Sequence, residues 1–344
     1  MNRTKKYILM LLFLIVILAL TFYSIYDKNS LLVIAKSIRD LDMSYVFVCL
    51  FIVGLYFVLQ GIYMKMILGT LKQEVSLPKC VFYSMVEFYF SGITPSSTGG
   101  QPVQLYYMTK DDIPIRKSYI TLMLNTAYFK LIIIILGIFA LIFKSSYIFS
   151  NGTIYIIFFV LGFLLDLGMV VLCLYLIFKK DLIKKVFAKL LAITKRLKIF
   201  KKKVEATDVD VLSERYKDEI NFIYSHKAEV FFGFVITFIQ RVLLFSIVYV
   251  IYRALGFNTL SYFEVLFIQV VVQISIEAFP LPGGSGLSEA MLHNIFIMIF
   301  ASSLADVGML LTRTFTFYVP LLVSGIVILL YNVFVNHSKI KKDN

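Results

Sequence analysis

The chain has 344 residues, of which 60% are hydrophobic and 16% are charged, and its formal net charge is +13 at pH 7. A soluble domain cannot bury so large an apolar fraction, which excludes the soluble classes and makes lipid the solvent of most of the chain. The longest polar stretch, Lys179–Lys227, is too short to form a separate soluble domain.

Six apolar stretches are long enough to cross a bilayer as α-helices, which requires about 20 residues each. In chain order, the predicted spans are Tyr7–Ile25, Tyr45–Leu68, Ser118–Phe143, Ile154–Phe178, Val230–Ile251 and Ala305–Val333. No signal-peptide cleavage site follows the first span, so we expect a retained anchor. Cys49, Cys80 and Cys173 lie singly in or beside the spans, which indicates buried thiols and not a disulfide framework.

Two further apolar stretches, about 79–110 and 262–301, are interrupted by glycine, proline and serine. The interruptions are Thr94-Pro-Ser-Ser-Thr-Gly-Gly-Gln-Pro102 and Phe279-Pro-Leu-Pro-Gly-Gly-Ser-Gly286. Non-helical backbone survives at membrane depth only where protein buries it or where it lines a cavity. A matched pair of interrupted segments therefore indicates a transporter-type binding site.

The distribution of lysine and arginine predicts the orientation. With the N-terminus in the cytoplasm, most basic residues fall in cytoplasmic segments, provided that each interrupted stretch enters and leaves on one side. The predicted fold is therefore an all-α polytopic membrane protein with about six transmembrane helices and two re-entrant helical hairpins in an inverted-topology repeat. Gln60 and Gln240 each lie in the span before a hairpin, and Glu87 and Glu277 each precede a break, which fits this symmetry.

This topology divides the chain into five segments. They are residues 1–43 (N-terminal anchor helix and outer loop), 44–178 (first repeat, with hairpin 79–110 and a connector helix), 179–228 (basic cytoplasmic connector), 229–335 (second repeat, with hairpin 262–301) and 336–344 (cytoplasmic tail). Within the connector, Lys179–Lys203 combines many basic residues with apolar residues at helical spacing. Such a helix suits an anionic membrane surface, although a topology signal alone explains the charge equally well.

Charged side chains within the bilayer are the first candidates for function, because each costs about 2.5–3.5 kcal/mol at the bilayer centre. Arg241 and Arg313 lie on the spans that flank the second hairpin, and a guanidinium group is shaped for bidentate contacts with phosphate. A structural ion pair with Glu87 or Glu277 that holds a hairpin in place is an open alternative, and the two roles are compatible.

The hairpin tips add a second anion-binding element. Each interruption leaves a downstream half-helix whose first N–H groups point into the protein, and such N-termini favour anions. The predicted substrate-binding residues are Arg241, Arg313, Glu87, Glu277, Ser96, Ser97, Thr98, Gly99, Gly100, Gln101, Gly283, Gly284, Ser285, Gly286 and Glu289. Simple capping of a buried turn by the serines and glycines remains an alternative interpretation.

Enzyme chemistry finds little support in the sequence. Gly283-Gly-Ser-Gly286 is similar to the nucleophile segment of an intramembrane serine protease, but His293 lies about 12 Å further along the same predicted helix. The chain has no Walker-type loop and no His-Glu-x-x-His motif, so we expect no cofactor and no catalytic or metal-binding residue. Positions near opposite membrane ends, with the side chains extending toward water, would accommodate Lys130 and Asp166, the other charges deep in the spans, and we include neither in the site.

Thr94-Pro-Ser-Ser-Thr-Gly-Gly-Gln-Pro-Val-Gln104 and Pro280-Leu-Pro-Gly-Gly-Ser-Gly-Leu-Ser-Glu289 resemble the two most recognisable motifs of the lysylphosphatidylglycerol synthase transmembrane-region family. This family includes the membrane part of the multiple peptide resistance factor and stand-alone proteins. The resemblance implies a flippase for lysylphosphatidylglycerol in a bacterial plasma membrane, and a link to antimicrobial peptide resistance. Because the chain ends at Asn344, directly after the last span, we expect the family's transferase domain to be absent.

Three functions remain open at this point. The first is a flippase for an anionic or aminoacylated phospholipid, with the headgroup between the hairpins near Arg241 and Arg313. The second is a component of a phosphatidylglycerol lysyltransferase, and the third is a scaffold that presents lipid to a partner enzyme. Expected partners are membrane phospholipid, an anionic leaflet contacted through Lys179–Lys203, and a separate transferase or a second copy of the chain, but no nucleic acid. Both termini are expected in the cytoplasm.

Overall fold

The computed structural model describes residues 39, 41–94, 99–150, 153–178, 219–277 and 287–340. Within these ranges the ordered elements are helices, and no strand is present. In chain order they are α1 (Met43–Thr70), α2 (Leu77–Gly92), α3 (Gly100–Lys110), α4 (Ile115–Ser150), α5 (Thr153–Phe178), α6 (Lys227–Ala254), α7 (Tyr262–Glu277), α8 (Leu287–Arg313) and α9 (Val319–Ile340). A π-helical turn, Thr314–Tyr318, joins α8 to α9, and residues 219–225 are helical before α6.

Five segments are long and apolar enough to cross a membrane. They are Met43–Thr70, Ile115–Phe143, Ile156–Tyr175, Lys227–Ala254 and Leu304–Asn332. These segments correspond to the second through the sixth predicted spans, while the first predicted span and Lys179–Lys203 lie outside the described residues. The chain is therefore a helical, multi-pass membrane protein.

α2 and α3 are too short to cross a bilayer. α2 has 16 residues and α3 has 11. At 1.5 Å per residue α2 reaches about 24 Å, less than the roughly 30 Å of a hydrocarbon core. α7 is described over 16 residues, Tyr262–Glu277. α2 and α3 pack against each other, and α7 packs against α8. The tips that would join these helices, 95–98 and 278–286, lie outside the described residues.

Local capping and proline explain where several helices begin and end. Asp42 caps α1 because its Oδ1 accepts a hydrogen bond from the Ser44 N–H at 2.9 Å, and hydrogen bonds from the Ser44 hydroxyl and N–H hold the Asp42 pKa below its usual value. Ser261 and Glu264 form a reciprocal capping box at α7, with N–H to side-chain distances of 2.8 and 3.4 Å. Pro320 lacks an N–H and clashes with the carbonyl four residues earlier, which accounts for the π turn just before it.

Glycines allow the helices to approach along their backbones. A Cβ atom added at Gly162 of α5 would lie 1.8 Å from the carbonyl oxygen of Ile274 in α7. A Cβ added at Gly61 of α1 would lie 2.5 Å from the Val81 side chain in α2. Small residues at such contacts are typical of helix packing in membranes, where close van der Waals contact replaces the hydrophobic effect.

α8 has a break in its helical backbone at Ala301, where φ is 59° and ψ is 162°. Residues with a Cβ atom rarely adopt this region, and non-glycine residues there store about 1–3 kcal/mol of strain. The break separates residues 287–300, which follow the second interruption, from residues 302–313. The latter continue through the π turn into the last span, Leu304–Asn332.

Candidate functional site

A polar cluster lies at mid-membrane depth between α1, α4 and α6. Tyr56, Phe129 and Arg241 are each within one helical turn of the middle of their spans. The Arg241 Cζ atom lies 3.7 Å from the centroid of the Phe129 ring and 5.5 Å from that of the Tyr56 ring. Both rings therefore make cation–π contacts with the guanidinium, and such contacts strengthen when water is excluded.

Glu87 of α2 is an acidic residue that interacts with this arginine. Its carboxylate interacts electrostatically with Arg241, and its Oε1 accepts a hydrogen bond of 3.0 Å from the Ser91 hydroxyl one turn further along. The two groups are therefore within electrostatic range of each other, but no salt bridge joins them among the described residues, so the ion-pair alternative stays open. The same pair also provides both charges that a headgroup with a phosphate and an amine requires.

Gly99 and Gly100 begin α3 directly beside the C-terminal half of α2. A Cβ atom added at Gly100 would lie 2.0 Å from the Ser91 Oγ and 2.6 Å from the Glu87 carbonyl oxygen. The Gly99 N–H donates to the Thr94 Oγ1 at 2.9 Å. The glycines therefore let the N-terminus of α3 lie against the Ser91 hydroxyl that holds the Glu87 carboxylate.

Gln101 connects the first turn of α3 to α4. Its Nε2 donates to the Thr126 Oγ1, and that hydroxyl donates to the Leu122 carbonyl oxygen at 3.1 Å. Thr126 and Phe129 are three residues apart, so they share one side of α4. The α3 N-terminus and the aromatic ring beneath Arg241 are consequently held by the same helix.

Gln60 and Gln240 form a buried hydrogen bond between α1 and α6. The Gln240 Nε2 donates to the Gln60 Oε1 at 2.8 Å and to the Tyr56 carbonyl oxygen at 3.1 Å. Both glutamine side chains are buried. The sequence predicted that these two residues correspond in the two repeats, but it did not predict that they contact each other beside Arg241.

Two buried polar atoms of this cluster, the Gln240 Oε1 and the Arg241 Nε, lack a hydrogen-bond partner among the described residues. The same is true of the Asn125 Oδ1, one turn before Phe129 on α4. An unpaired polar group in an apolar interior costs about 1–3 kcal/mol. Such groups are therefore usually satisfied by ordered water or by a ligand. The Arg241 Nε and the Gln240 Oε1 are therefore polar atoms that a water molecule or a ligand could satisfy.

Arg313 is partly buried at the end of α8, immediately before the π turn. This turn packs against α1 and α6, the helices that carry Tyr56 and Arg241. π turns inside α-helices occur frequently at functional sites. The structure thus places Arg313 immediately before a turn that packs against two of the helices that form the polar cluster.

The remaining predicted site residues lie outside the described parts of the structure. These are Ser96, Ser97, Thr98, Gly283, Gly284, Ser285 and Gly286, together with the side chains of Glu277 and Glu289. Their roles stay predictions.

Lys130 and Asp166 form an ion pair that the sequence did not predict. The Lys130 Nζ lies 2.7 Å from the Asp166 Oδ1, and the two side chains are 16% and 2% exposed. The structure does not place them near opposite membrane ends, because each lies near the middle of its span and α4 packs beside α5. The sequence did contain a signal for this pair, because each of two consecutive spans carries one buried charge and the two charges have opposite sign.

The fold and this cluster define a polytopic membrane protein with a charged polar site between its helices. Over residues 7–324 the chain matches the family described as the lysylphosphatidylglycerol synthase TM region. The chain belongs to this family, which confirms the resemblance seen in its two interrupted motifs. No curated protein matches the chain.

Proposed function

We propose that the protein binds the headgroup of a phospholipid in the polar cluster and moves the lipid across the bacterial plasma membrane. The observation that carries this proposal is the Arg241 guanidinium at mid-membrane depth, held on Phe129 beside Glu87, with a buried and unpartnered Nε. A permanent charge at this depth is costly. A phosphate group that enters the cluster offsets this cost through charge-assisted hydrogen bonds, while the acyl chains stay in the bilayer.

The family supports the lipid class. Lysylphosphatidylglycerol, for which the family is named, carries a phosphate and a lysyl amine in one headgroup. Arg241 is suited to the phosphate, and the neighbouring Glu87 carboxylate is suited to the amine. We therefore infer an anionic or aminoacylated phospholipid similar to lysylphosphatidylglycerol as the substrate.

The pattern of helix contacts supports an inverted-topology repeat with two re-entrant hairpins. In this arrangement α1 corresponds to α6, and α2 with α3 corresponds to α7 with the first part of α8. The helix α4 corresponds to the last span. α2 packs against α9, and α7 packs in the corresponding way against α4. Gln60 and Gln240, corresponding residues of α1 and α6, bond to each other, as is expected beside a pseudo-two-fold axis.

Corresponding glycine contacts support the same arrangement. A Cβ atom added at Gly325 of α9 would lie 2.8 Å from the Tyr89 ring of α2. One added at Gly137 of α4 would lie 2.6 Å from the Ile274 side chain of α7. In both cases a glycine of a long span contacts a side chain of the shorter helix that belongs to the other repeat. Rocking of one repeat against the other would then expose the cluster to each side in turn.

Basic residues at one end of the bundle support a cytoplasmic placement of that end. The Lys117 Nζ donates to the Lys72 carbonyl oxygen at 3.1 Å, and the Arg116 Nε lies 2.6 Å from the Glu219 Oε1. These residues join the α1–α2 turn, the start of α4 and the end of the basic connector. A concentration of lysine and arginine in short loops favours the cytoplasmic side.

Reconstituted protein provides the test. Purified full-length chain is placed in phosphatidylglycerol vesicles that contain a trace of fluorescent phosphatidylglycerol, and a membrane-impermeant quencher measures how fast the inner-leaflet probe appears outside. Arg241→Gln should slow transfer about tenfold or more, since hydrogen bonds to charged groups contribute about 1.5–3 kcal/mol. Arg253→Gln is the matched control, because Arg253 is an exposed arginine in the last turn of the same helix.

The outcomes separate the alternatives. The proposal is supported if wild type and Arg253→Gln transfer lipid at similar rates and Arg241→Gln transfers it more slowly. Equal transfer by all three at equal protein levels removes Arg241 from the site. No transfer by wild type favours a lipid-presenting scaffold, and formation of lysyl-lipid from charged tRNA by the purified chain favours a synthase component.

A further inference from the structure

The Lys130–Asp166 ion pair lies near the middle of two neighbouring spans. Within the span Ile156–Tyr175, Asp166 is at least nine residues from each end, which corresponds to about 13 Å along the helix. Lys130 is at a similar depth in Ile115–Phe143. Their 2.7 Å separation and low exposure make this a desolvated pair and not a surface contact.

Packing alone does not explain why these two residues are charged. Asp166 is the only charged residue in α5, and Lys130 is the only one between Lys117 and Lys144. The neighbours of Asp166 along α5, such as Leu164 and Leu165, are large apolar side chains exposed toward the surrounding lipid. An apolar pair of similar volume usually stabilises a protein as well as a buried ion pair does.

The ion pair is adjacent to the lipid site through one aromatic ring. The Phe129 centroid lies 3.7 Å from the Arg241 Cζ and 5.2 Å from the Lys130 Nζ. The two cations are therefore less than about 9 Å apart, in a region where few dipoles screen them. A change of charge on the Asp166 carboxylate is felt by an anion bound at Arg241.

We propose that the Lys130–Asp166 ion pair is a proton-binding site coupled to the binding of an anionic lipid headgroup at Arg241. This inference rests on the proposed function of the Arg241 cluster. One proton from water adds to the Asp166 carboxylate and leaves it neutral, so that it no longer offsets the charge of the Lys130 ammonium. The site then carries one additional positive charge, which attracts the headgroup. When the headgroup leaves, the proton returns to water and the ion pair forms again.

The coupling has a definite sign and size. Two unit charges about 10–12 Å apart at an effective dielectric constant of about 20 change affinity by roughly tenfold. By linkage, the proton strengthens lipid binding by the same factor by which the lipid strengthens proton binding. Binding of the lipid and binding of the proton are therefore coupled, which is the condition that transport driven by a proton gradient requires.

The other ionisable groups near the pair define the controls. On α4 and α5 these are Tyr119 and Cys173, and Cys173 is within electrostatic range of Lys130. On α7, the other helix packed against α5, the described ionisable side chains are Tyr262 and Glu264, both in its first turn. On the other side of the Phe129 ring the ionisable groups are Arg241 and Glu87. Besides Asp166, Glu87 is therefore the other carboxylate that must be considered in the test.

The test measures binding and does not require transport. Purified full-length chain in detergent is titrated with short-chain phosphatidylglycerol in acid and in alkaline buffer. Wild type should bind about tenfold more tightly in acid. Asp166→Asn, a permanent mimic of the protonated state, should bind tightly at both pH values, and Asp166→Glu should keep the pH dependence. Asp112→Asn, an exposed carboxylate outside the spans, is the matched control and should behave as wild type.

Two results would overturn the coupling: wild-type binding that depends on Arg241 but not on pH, or an unchanged pH dependence in Asp166→Asn. If Asp166→Asn does not fold, the double variant Lys130→Met/Asp166→Leu replaces the pair with apolar side chains and should bind without pH dependence. Failure of wild type to bind, or binding unaffected by Arg241→Gln, contradicts the proposed function itself and the coupling with it.

Discussion

Replacing Gly162 with alanine tests the closest helix contact in the structure. The new Cβ atom would lie 1.8 Å from the carbonyl oxygen of Ile274 and 2.8 Å from its carbonyl carbon. Both are backbone atoms, so no side-chain rotation relieves the clash. Since ordinary contacts begin at 3.4 Å, α7 must move away from α5 by about 1.5 Å near Ile274, three residues before its last described residue, Glu277.

The size of the effect follows from two opposing terms. Overpacking typically costs about 1–3 kcal/mol, and a backbone clash belongs at the upper end. Alanine in place of glycine in a helix returns up to about 1 kcal/mol. We therefore expect Gly162→Ala to lose about 2 kcal/mol of folding free energy. Gly168→Ala, in the same helix with no atom within 4 Å of the new Cβ, should gain up to about 1 kcal/mol.

Denaturant unfolding of the full chain in mixed micelles, monitored by tyrosine fluorescence, measures both variants against wild type. The two alanine variants should differ by about 3 kcal/mol, with Gly162→Ala the less stable. Equal stability of the two variants would refute the close packing of α5 on α7.

Three further predictions concern stability. Lys130→Met should cost about 3–5 kcal/mol, because it removes the ion-pair partner of a buried carboxylate, and adding Asp166→Leu should recover most of the loss in the same unfolding assay. Gln240→Leu should cost about 1–3 kcal/mol by leaving Gln60 unpaired, and a double-mutant cycle with Gln60→Leu should show positive coupling between the two side chains. Ala301→Gly should raise the melting temperature, since glycine relieves backbone strain of about 1–3 kcal/mol at an entropic cost of about 0.5–1 kcal/mol; a lower melting temperature would contradict the assigned φ.

Hydropathy and charge were sufficient for the membrane class and for the spans that the structure describes. Segments such as Tyr45–Leu68 and Val230–Ile251 were predicted within a few residues, because a bilayer requires long apolar helices with few exceptions. The family was predicted from the resemblance of the two glycine-rich motifs to known motifs. In the first motif the structure shows one physical use of glycine, because Gly100 lies in close contact with the backbone of Glu87.

The sequence did not predict which side chains contact each other. Glu87 and Arg241 were recognised as candidates from their depth, yet the role of Phe129 as the platform for the guanidinium depends on how α4 and α6 are rotated about their axes. The pairing of Lys130 with Asp166 likewise depends on helix rotation, which hydropathy does not fix. The break at Ala301 involves neither glycine nor proline, so local sequence gives little indication of its geometry.

A cryo-electron microscopy structure of the chain in phosphatidylglycerol nanodiscs tests the central claim most directly. The account predicts headgroup density between α1, α2, α4 and α6, with a phosphate oxygen at about 3 Å from the Arg241 guanidinium. Lipid density confined to the outer surface, with the Arg241 cluster closed by protein side chains in every class of particles, would contradict it.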